Sequence, residues 1–276
     1  MAGTTKRRGF SLPKELWEQR ELITRLAQND FRKRYAGSYM GVVWALVQPV
    51  VTVLMYWIVF ARIMGMKAEA LGGHTEVPYV LFLMGGLVPW FFLQEATMNG
   101  TTSLLEYNYL VKKVLFKISI LPLIKILAAT IIHGFFIVVL LVVAAFAGYP
   151  PTLYVLQLPY YFVCAFILVL ALCYTTCSVV VFFRDLTQLI AIALQLLQWA
   201  TPILWEVGRL SDRHKWIAQI NPLTYIVEGY RDAIYGQRWF WELPGQTLYF
   251  WVVALCLFTL GTVVFKRTKP MFADVL

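Results

Sequence analysis

VVVFFRDLTQLIAIALQLLQW, residues 179–199, sets Arg184 and Asp185 side by side between two long apolar runs. A charge at the centre of a lipid bilayer costs about 2.5–3.5 kcal/mol or more. In an apolar chain such a pair therefore marks the tip where one membrane-crossing helix ends and the next begins. Composition agrees: 60% of the residues are hydrophobic, 14% are charged and the mean hydropathy is +0.67, well outside the usual range of soluble domains. Runs such as ILAATIIHGFFIVVLLVVAAFAG (126–148) do not alternate, which excludes barrel strands. The expected class is an all-α integral membrane protein forming a single transmembrane domain over residues 1–276. That length holds about six spans of roughly 20 residues each, with little room for a separate soluble domain.

Outward from the Arg184–Asp185 tip, apolar runs and Pro/Gly breaks place the spans at about 39–64, 79–103, 118–147, 153–182, 186–206 and 243–265. Cations orient them. Nine Lys and Arg lie from Lys6 to Arg34, four are Lys112, Lys113, Lys117 and Lys125, one is Arg184, and three are Lys266, Arg267 and Lys269. With the amino terminus inside, all of these fall on the cytoplasmic side or at its edge. Five of the remaining seven sit in the last external loop among Glu206, Asp212, Glu228, Asp232 and Glu242. The expectation is a multi-pass protein of the cell membrane with both termini cytoplasmic. The cluster Lys6, Arg7, Arg8 leads into charged sequence rather than an apolar core, so no secretory signal is expected there.

The segment 1–38 is read as cytoplasmic and interfacial. Ser11 and Pro13 are placed to start a helix, and Leu12, Leu16, Ile23 and Leu26 recur at near-helical spacing, so an amphipathic helix can lie on the membrane. Its basic end, Arg32, Lys33 and Arg34 with Tyr35, reaches head-group level, where cations meet anionic lipid. Two readings stand together there: a topology anchor, and a docking site for the phosphates of a lipid-linked substrate. The 104–117 segment mixes Leu104, Leu105 and Leu110 with Glu106, Asn108, Lys112 and Lys113, a short amphipathic helix suited either to a soluble partner or to simple connection.

The 207–240 loop is predicted to carry two short helices that dip partway into the outer leaflet or cap a cavity. SDRHKWIAQI starts under a Ser211 cap. NPLTYIVEGYRDAIYG starts with Asn221 as N-cap and Pro222 at the first helical position, and it ends at Gly236. Tyr230 belongs to its apolar stripe, and Glu228 pairs with Arg231 one turn away.

Within the spans the ionisable residues are Glu95 and His133, with Lys125 near an inner end, too few for a proton relay. His133 is read as a hydrogen-bonded helix contact. Cys164, Cys173, Cys177 and Cys256 have no partners at metal-ligand spacing and are read as buried packing residues. Pro49, Pro89 and Pro202 are expected to kink their spans, and Gly37 and Gly41 give a GxxxG spacing at the start of the first. Aromatics make up 16% of the chain. Tyr39, Trp44, Tyr56 and Trp57 on the first span, Trp90 and Phe91 on the second and Trp199 on the fifth are either interfacial belt and packing residues or a surface along which sugar rings pass.

Four stretches in order resemble the permease subunits of type-2 ATP-binding-cassette exporters of polysaccharides and teichoic acids: NDFRKRYAGSYMGVVWALVQP (29–49), NYLVKKVLF (108–116), FFRDLTQL (182–189) with TPILW (201–205), and NPLTYIVEGYRDAIYG (221–236). The chain departs from the family in having Asn29 before Asp30, where Arg is frequent, and Lys117 after Phe116, where Pro is usual. The resemblance implies a homodimer that exports a lipid-linked polymer of the undecaprenyl-diphosphate type, with wall teichoic acid exporters most similar and O-antigen permeases sharing the motifs. It further implies substrate head-group contact at 32–35, coupling to a separate ATPase through Glu106, Asn108, Leu110, Lys112 and Lys113, and an external gate at 207–240. No GxxxxGK[ST] loop occurs, so ATP and Mg are expected on the partner ATPase and no cofactor, metal or catalytic residue on this chain. Membrane lipid is an expected partner and nucleic acid is not. The rival readings are O-antigen or capsule polysaccharide export, a drug or small-lipid exporter permease, and an intramembrane glycan transferase, the last drawing on Asp212, His214, Glu228 and Asp232.

Overall fold

The computed structural model describes residues 20–35, 39–69, 76–111, 117–211 and 213–276. Helix α1 spans Arg20–Tyr35, and α2 spans Val43–Tyr56 and continues as a π-helical stretch Trp57–Ile63. After a two-residue antiparallel pair, Ala68–Glu69 with Glu76–Val77, come α3 (Tyr79–Glu106), α4 (Asn108–Val111), α5 (Leu121–Phe146) and α6 (Leu158–Val180). Helix α7 is Leu186–Ala200, α8 Lys215–Ile220, α9 Pro222–Arg231, α10 Pro244–Thr268 and α11 Phe272–Val275.

Among the described residues, five helical stretches are long and apolar enough to cross a membrane: Val43–Ile63, Tyr79–Glu106, Ile118–Phe146, Leu153–Val180 and Pro244–Met271. The remaining expected span, the fifth at 186–206, is shorter than its apolar run. Its helix stops at Ala200 after 15 residues, roughly 22 Å at 1.5 Å per residue. The cause is Pro202, which disfavours helical backbone in the residue before it; Thr201 is extended at φ −85°, ψ 141°. Pro202 therefore ends this helix instead of kinking it, and 201–204 fold into the protein interior. Pro49 and Pro89 lie inside α2 and α3 as expected.

Helices α3, α5 and α6 form the packed centre, and α10 lies along α6. Small residues set how closely they approach: a Cβ on Gly261 of α10 would stand 2.7 Å from the Ala171 carbonyl oxygen of α6. Hydroxyls fasten the contacts, Thr101 to Thr176 at 2.7 Å and Tyr174 to the Ser119 carbonyl at 2.9 Å. In membranes, where lipid is as apolar as leucine, such close packing and short polar contacts are what join helices. By contrast α2 buries no residue and α7 buries only Leu194.

Several local expectations change. Gly41 sits in a turn at φ +52°, so it cannot supply a helix-packing face with Gly37, which lies outside the described residues. The helix expected under Ser211 begins at Lys215, and the Ser211 hydroxyl instead lies 2.8 Å from His214 Nδ1. Gly236 falls within a π turn, and Gln237 takes the left-handed position at φ 51°. Cys256 is exposed, unlike the three buried cysteines, because it faces outward from the peripheral α10. Arg184 and Asp185 do form the turn between α6 and α7. Lys117, at the position where the family usually has proline, is extended at φ −82°, ψ 93° and leads into a 3-10 turn, Ile118–Ile120.

Gly261→Val is expected to lower the detergent-solubilised melting midpoint, with a cost of about 1–3 kcal/mol for the overpacked contact. Gly134→Val, at a position with open space around it, leaves the midpoint unchanged.

Candidate functional site

Ile23 and Ala27 of α1 lie on one face, four residues apart, and bury against α5 rather than lipid. Three residues further on, the same face presents Asp30. Asp30 is 6% exposed and Lys125 of α5 is 4% exposed, and they meet at 2.6 Å. Lys125 also reaches Glu106 at 2.6 Å, and the Tyr107 hydroxyl donates to Asp30 at 2.6 Å. Arg34, one turn beyond Asp30, approaches it at 3.3 Å and pairs with Glu95 of α3. Burial pushes the Asp30 carboxyl up, but the hydrogen bonds from Lys125 and Tyr107 and the charges of Lys125 and Arg34 together hold it below the ordinary carboxylate value. The result is one ion cluster at the basic end of the bundle joining α1, α3 and α5.

Two cavities meet at this cluster. The larger, about 560 Å³, runs between α2, α3 and α7. Its polar lining comes from Gln48, Thr52 and Tyr56 at i, i+4 and i+8 on α2, from Gln94, Glu95 and Asn99 on α3, and from Gln198 on α7. Gln198 Nε2 stands 3.4 Å from the Tyr56 hydroxyl. The smaller cavity, about 450 Å³, is lined by Asp30, Lys33, Glu106, Tyr109 and Lys125. Arg34 and Asn99 border both, so Arg34 stands at the mouth of the groove.

Of the residues expected at the head-group site, Arg32 and Lys33 are exposed, Arg34 is partly buried and ion-paired, and Tyr35 closes α1. Tyr56 and Phe91 line the groove. Tyr39, Trp44 and Trp199 are exposed, and the Arg62 guanidinium lies 5.0 Å from the Trp57 ring. Trp90 is only 2% exposed. It points into the helix core and lines neither cavity, because its side of α3 is the one packed on the rest of the bundle. Glu106 is engaged by Lys125 and by the Thr102 hydroxyl at 2.6 Å. Asn108 and Leu110 sit on the single turn of α4, while Lys112 and Lys113 lie outside the described residues.

At the opposite end, Asn221 caps α9 by accepting from the Leu223 amide at 3.0 Å, with Pro222 next to it, and its Nδ2 donates to Thr201 at 2.8 Å. Arg231 is 1% exposed. Its guanidinium donates to the carbonyls of Pro202 (2.7 Å) and Ile203 (2.9 Å) and to Glu228 (2.8 Å), and lies 3.7 Å from the Phe82 ring centre. Arg231 thus satisfies carbonyls of the non-helical backbone that follows the end of α7. Tyr230 bonds His133 at 2.8 Å, making His133 the helix contact expected. Asp232 pairs with Arg238 at 3.0 Å, but burial, opposed by Arg238, pushes its carboxyl up to about 6.

Sequence reading did not bring Asp30 to Lys125 or gather the amides. The signals present were a lysine just inside an apolar run and polar side chains recurring at helical spacing on α2.

Residues 21–235 match the family described as ABC-2 type transporter. The chain is 25% identical over 259 residues to the O-antigen export system permease protein RfbA of Klebsiella pneumoniae, covering 93% of this chain and 95% of that protein. It is 25% identical over 266 residues to the protein of the same name from Myxococcus xanthus, covering 95% and 98%.

Lys125→Met is expected to destabilise the protein by about 3–5 kcal/mol, because Asp30 is left buried without its cation. Adding Asp30→Asn should recover part of that loss in thermal denaturation. Asp232 binds its proton more tightly folded than unfolded, so stability is expected to rise as the pH falls from 7 through about 6 toward 4. Asp232→Asn should flatten this part of the stability–pH profile.

Proposed function

Because the chain belongs to the ABC-2 type transporter family, we propose that it is the membrane subunit of an ATP-driven exporter that moves a lipid-linked polysaccharide outward from the cytoplasmic side. The observation that carries the reading is Arg34, a cation at the mouth of a polar groove between apolar helices, tied on one side to Asp30 and on the other to Glu95. A diphosphate head group requires cations at the membrane surface, which exposed Arg32 and Lys33 supply beside Arg34. The polymer requires a polar route, and the groove offers one.

In this reading two copies face each other along α2 and α7, whose surfaces are scarcely buried within one chain. An ATPase carrying ATP and Mg closes on nucleotide and pushes the 104–117 segment. Glu106 and Tyr107 pass that motion to Lys125 and Asp30, and so to α1 and Arg34. The outer helices α8 and α9 act as the gate. Two polymer classes fit: a wall teichoic acid, favoured by the basic amino terminus and aromatic-rich spans, and an O-antigen, favoured by the names of the relatives.

The test is copurification with the cognate ATPase and measurement of its hydrolysis rate with a polyprenyl-diphosphate-linked glycan, which should stimulate turnover. Lys112→Glu with Lys113→Glu should abolish export while leaving membrane insertion intact. Unchanged export in that double variant removes the coupling assignment, and a chain that purifies alone and transfers glycan overturns the transporter reading.

A further inference from the structure

The groove between α2, α3 and α7 contains chemistry that head-group binding does not use. Gln48 and Gln94 are exposed to it and Asn99 is half-buried in it. None of these three side-chain amides bonds to another described residue. Among the described residues, Gln198 has only its long contact with the Tyr56 hydroxyl. Amides left unpaired at membrane depth are costly, and apolar side chains would close the same space without that cost. Four of them converging from three helices define a cavity with donors and acceptors in equal supply.

That pairing selects a ligand class. A phosphate offers acceptors alone and is met by Arg and Lys, whereas a sugar hydroxyl both donates and accepts, as a carboxamide does. Tyr56 and Phe91 add ring faces on which the C–H side of a pyranose packs. The volume, about 560 Å³, is that of a small-ligand site. Arg34, at the mouth, sets the anionic group next to the sugar rather than within the amide cluster.

We infer that this groove is a carbohydrate subsite in which Gln48, Gln94, Asn99 and Gln198 hold the hydroxyls of the sugar unit adjoining the diphosphate received at Arg34. The inference rests on the export reading above and assigns to the permease a grip on the first sugar, distinct from the passage of later ones.

Binding of two radiolabelled probes to the purified permease–ATPase complex tests it: a polyprenyl diphosphate carrying one N-acetylhexosamine, and the bare polyprenyl diphosphate. Gln48→Leu with Gln94→Leu keeps helix-favouring side chains of similar size and is expected to weaken the glycosylated probe about tenfold, the loss of two hydrogen bonds, with less than a twofold change for the bare one. Tyr56→Phe, which keeps the ring, should give a smaller loss confined to the glycosylated probe. Equal weakening of both probes, or of neither, overturns the subsite. A shift of the complex to a smaller assembly in the glutamine variant also overturns it, by assigning the amides to contact between copies. If the wild-type complex binds neither probe and neither stimulates its ATPase, the export reading itself falls.

Discussion

The contact between Lys125 and Asp30 governs the basic end of the molecule. Both side chains are almost fully buried, and neither charge is tolerable there alone. Joining them fixes α1 on α5 at one register, since Asp30 lies on the face that buries Ile23 and Ala27. That register in turn aims Arg34, one turn later, at Glu95 on α3. Tyr107 and Glu106 complete the cluster from the end of α3, tying that end directly to Asp30 and Lys125.

A second buried cation organises the other end by different means. Arg231 binds the carbonyls of Pro202 and Ile203, so the backbone that leaves α7 early is satisfied by a side chain from α9. Between these two pins stand α3, α5 and α6, closely packed, and beside them α2 and α7, which bury almost nothing in one chain. The groove lies between the packed part and the unpacked part. The walls of the groove are therefore unequal within one chain: α3 is packed on the core, whereas α2 and α7 are held by few buried contacts.

Features governed by local chemistry were legible in the sequence. Apolar runs located the five long helices, the Arg184–Asp185 pair marked a turn, Asn221 and Pro222 opened α9, and Glu228 found Arg231 one turn away. Local signals competing with tertiary ones were not. The apolar run after Asp185 continues past Ala200, yet Pro202 stops the helix, and hydropathy does not register that. Trp90 and Phe91 are adjacent and alike in composition, but the helix turns one into the core and the other into the groove. The Asp30–Lys125 pair joins residues 95 apart, a distance at which spacing carries no information. The amide cluster was half legible: the α2 polar face recurs every four residues, but its convergence with Gln94, Asn99 and Gln198 needs the packing of three helices.

The two cations also differ in how they can be released. Carboxylates hold Lys125 and Arg34, and a carboxylate on a cation is replaceable by another anion of similar or greater charge. Carbonyl dipoles and one carboxylate, Glu228, hold Arg231 with an aromatic ring against it, almost out of reach of solvent. No anion in solution can approach it without first parting α9 from the end of α7. Parting α9 from the backbone that follows α7 therefore means breaking the Arg231 contacts to Pro202 and Ile203, and α7 is the same helix that carries Gln198 into the groove.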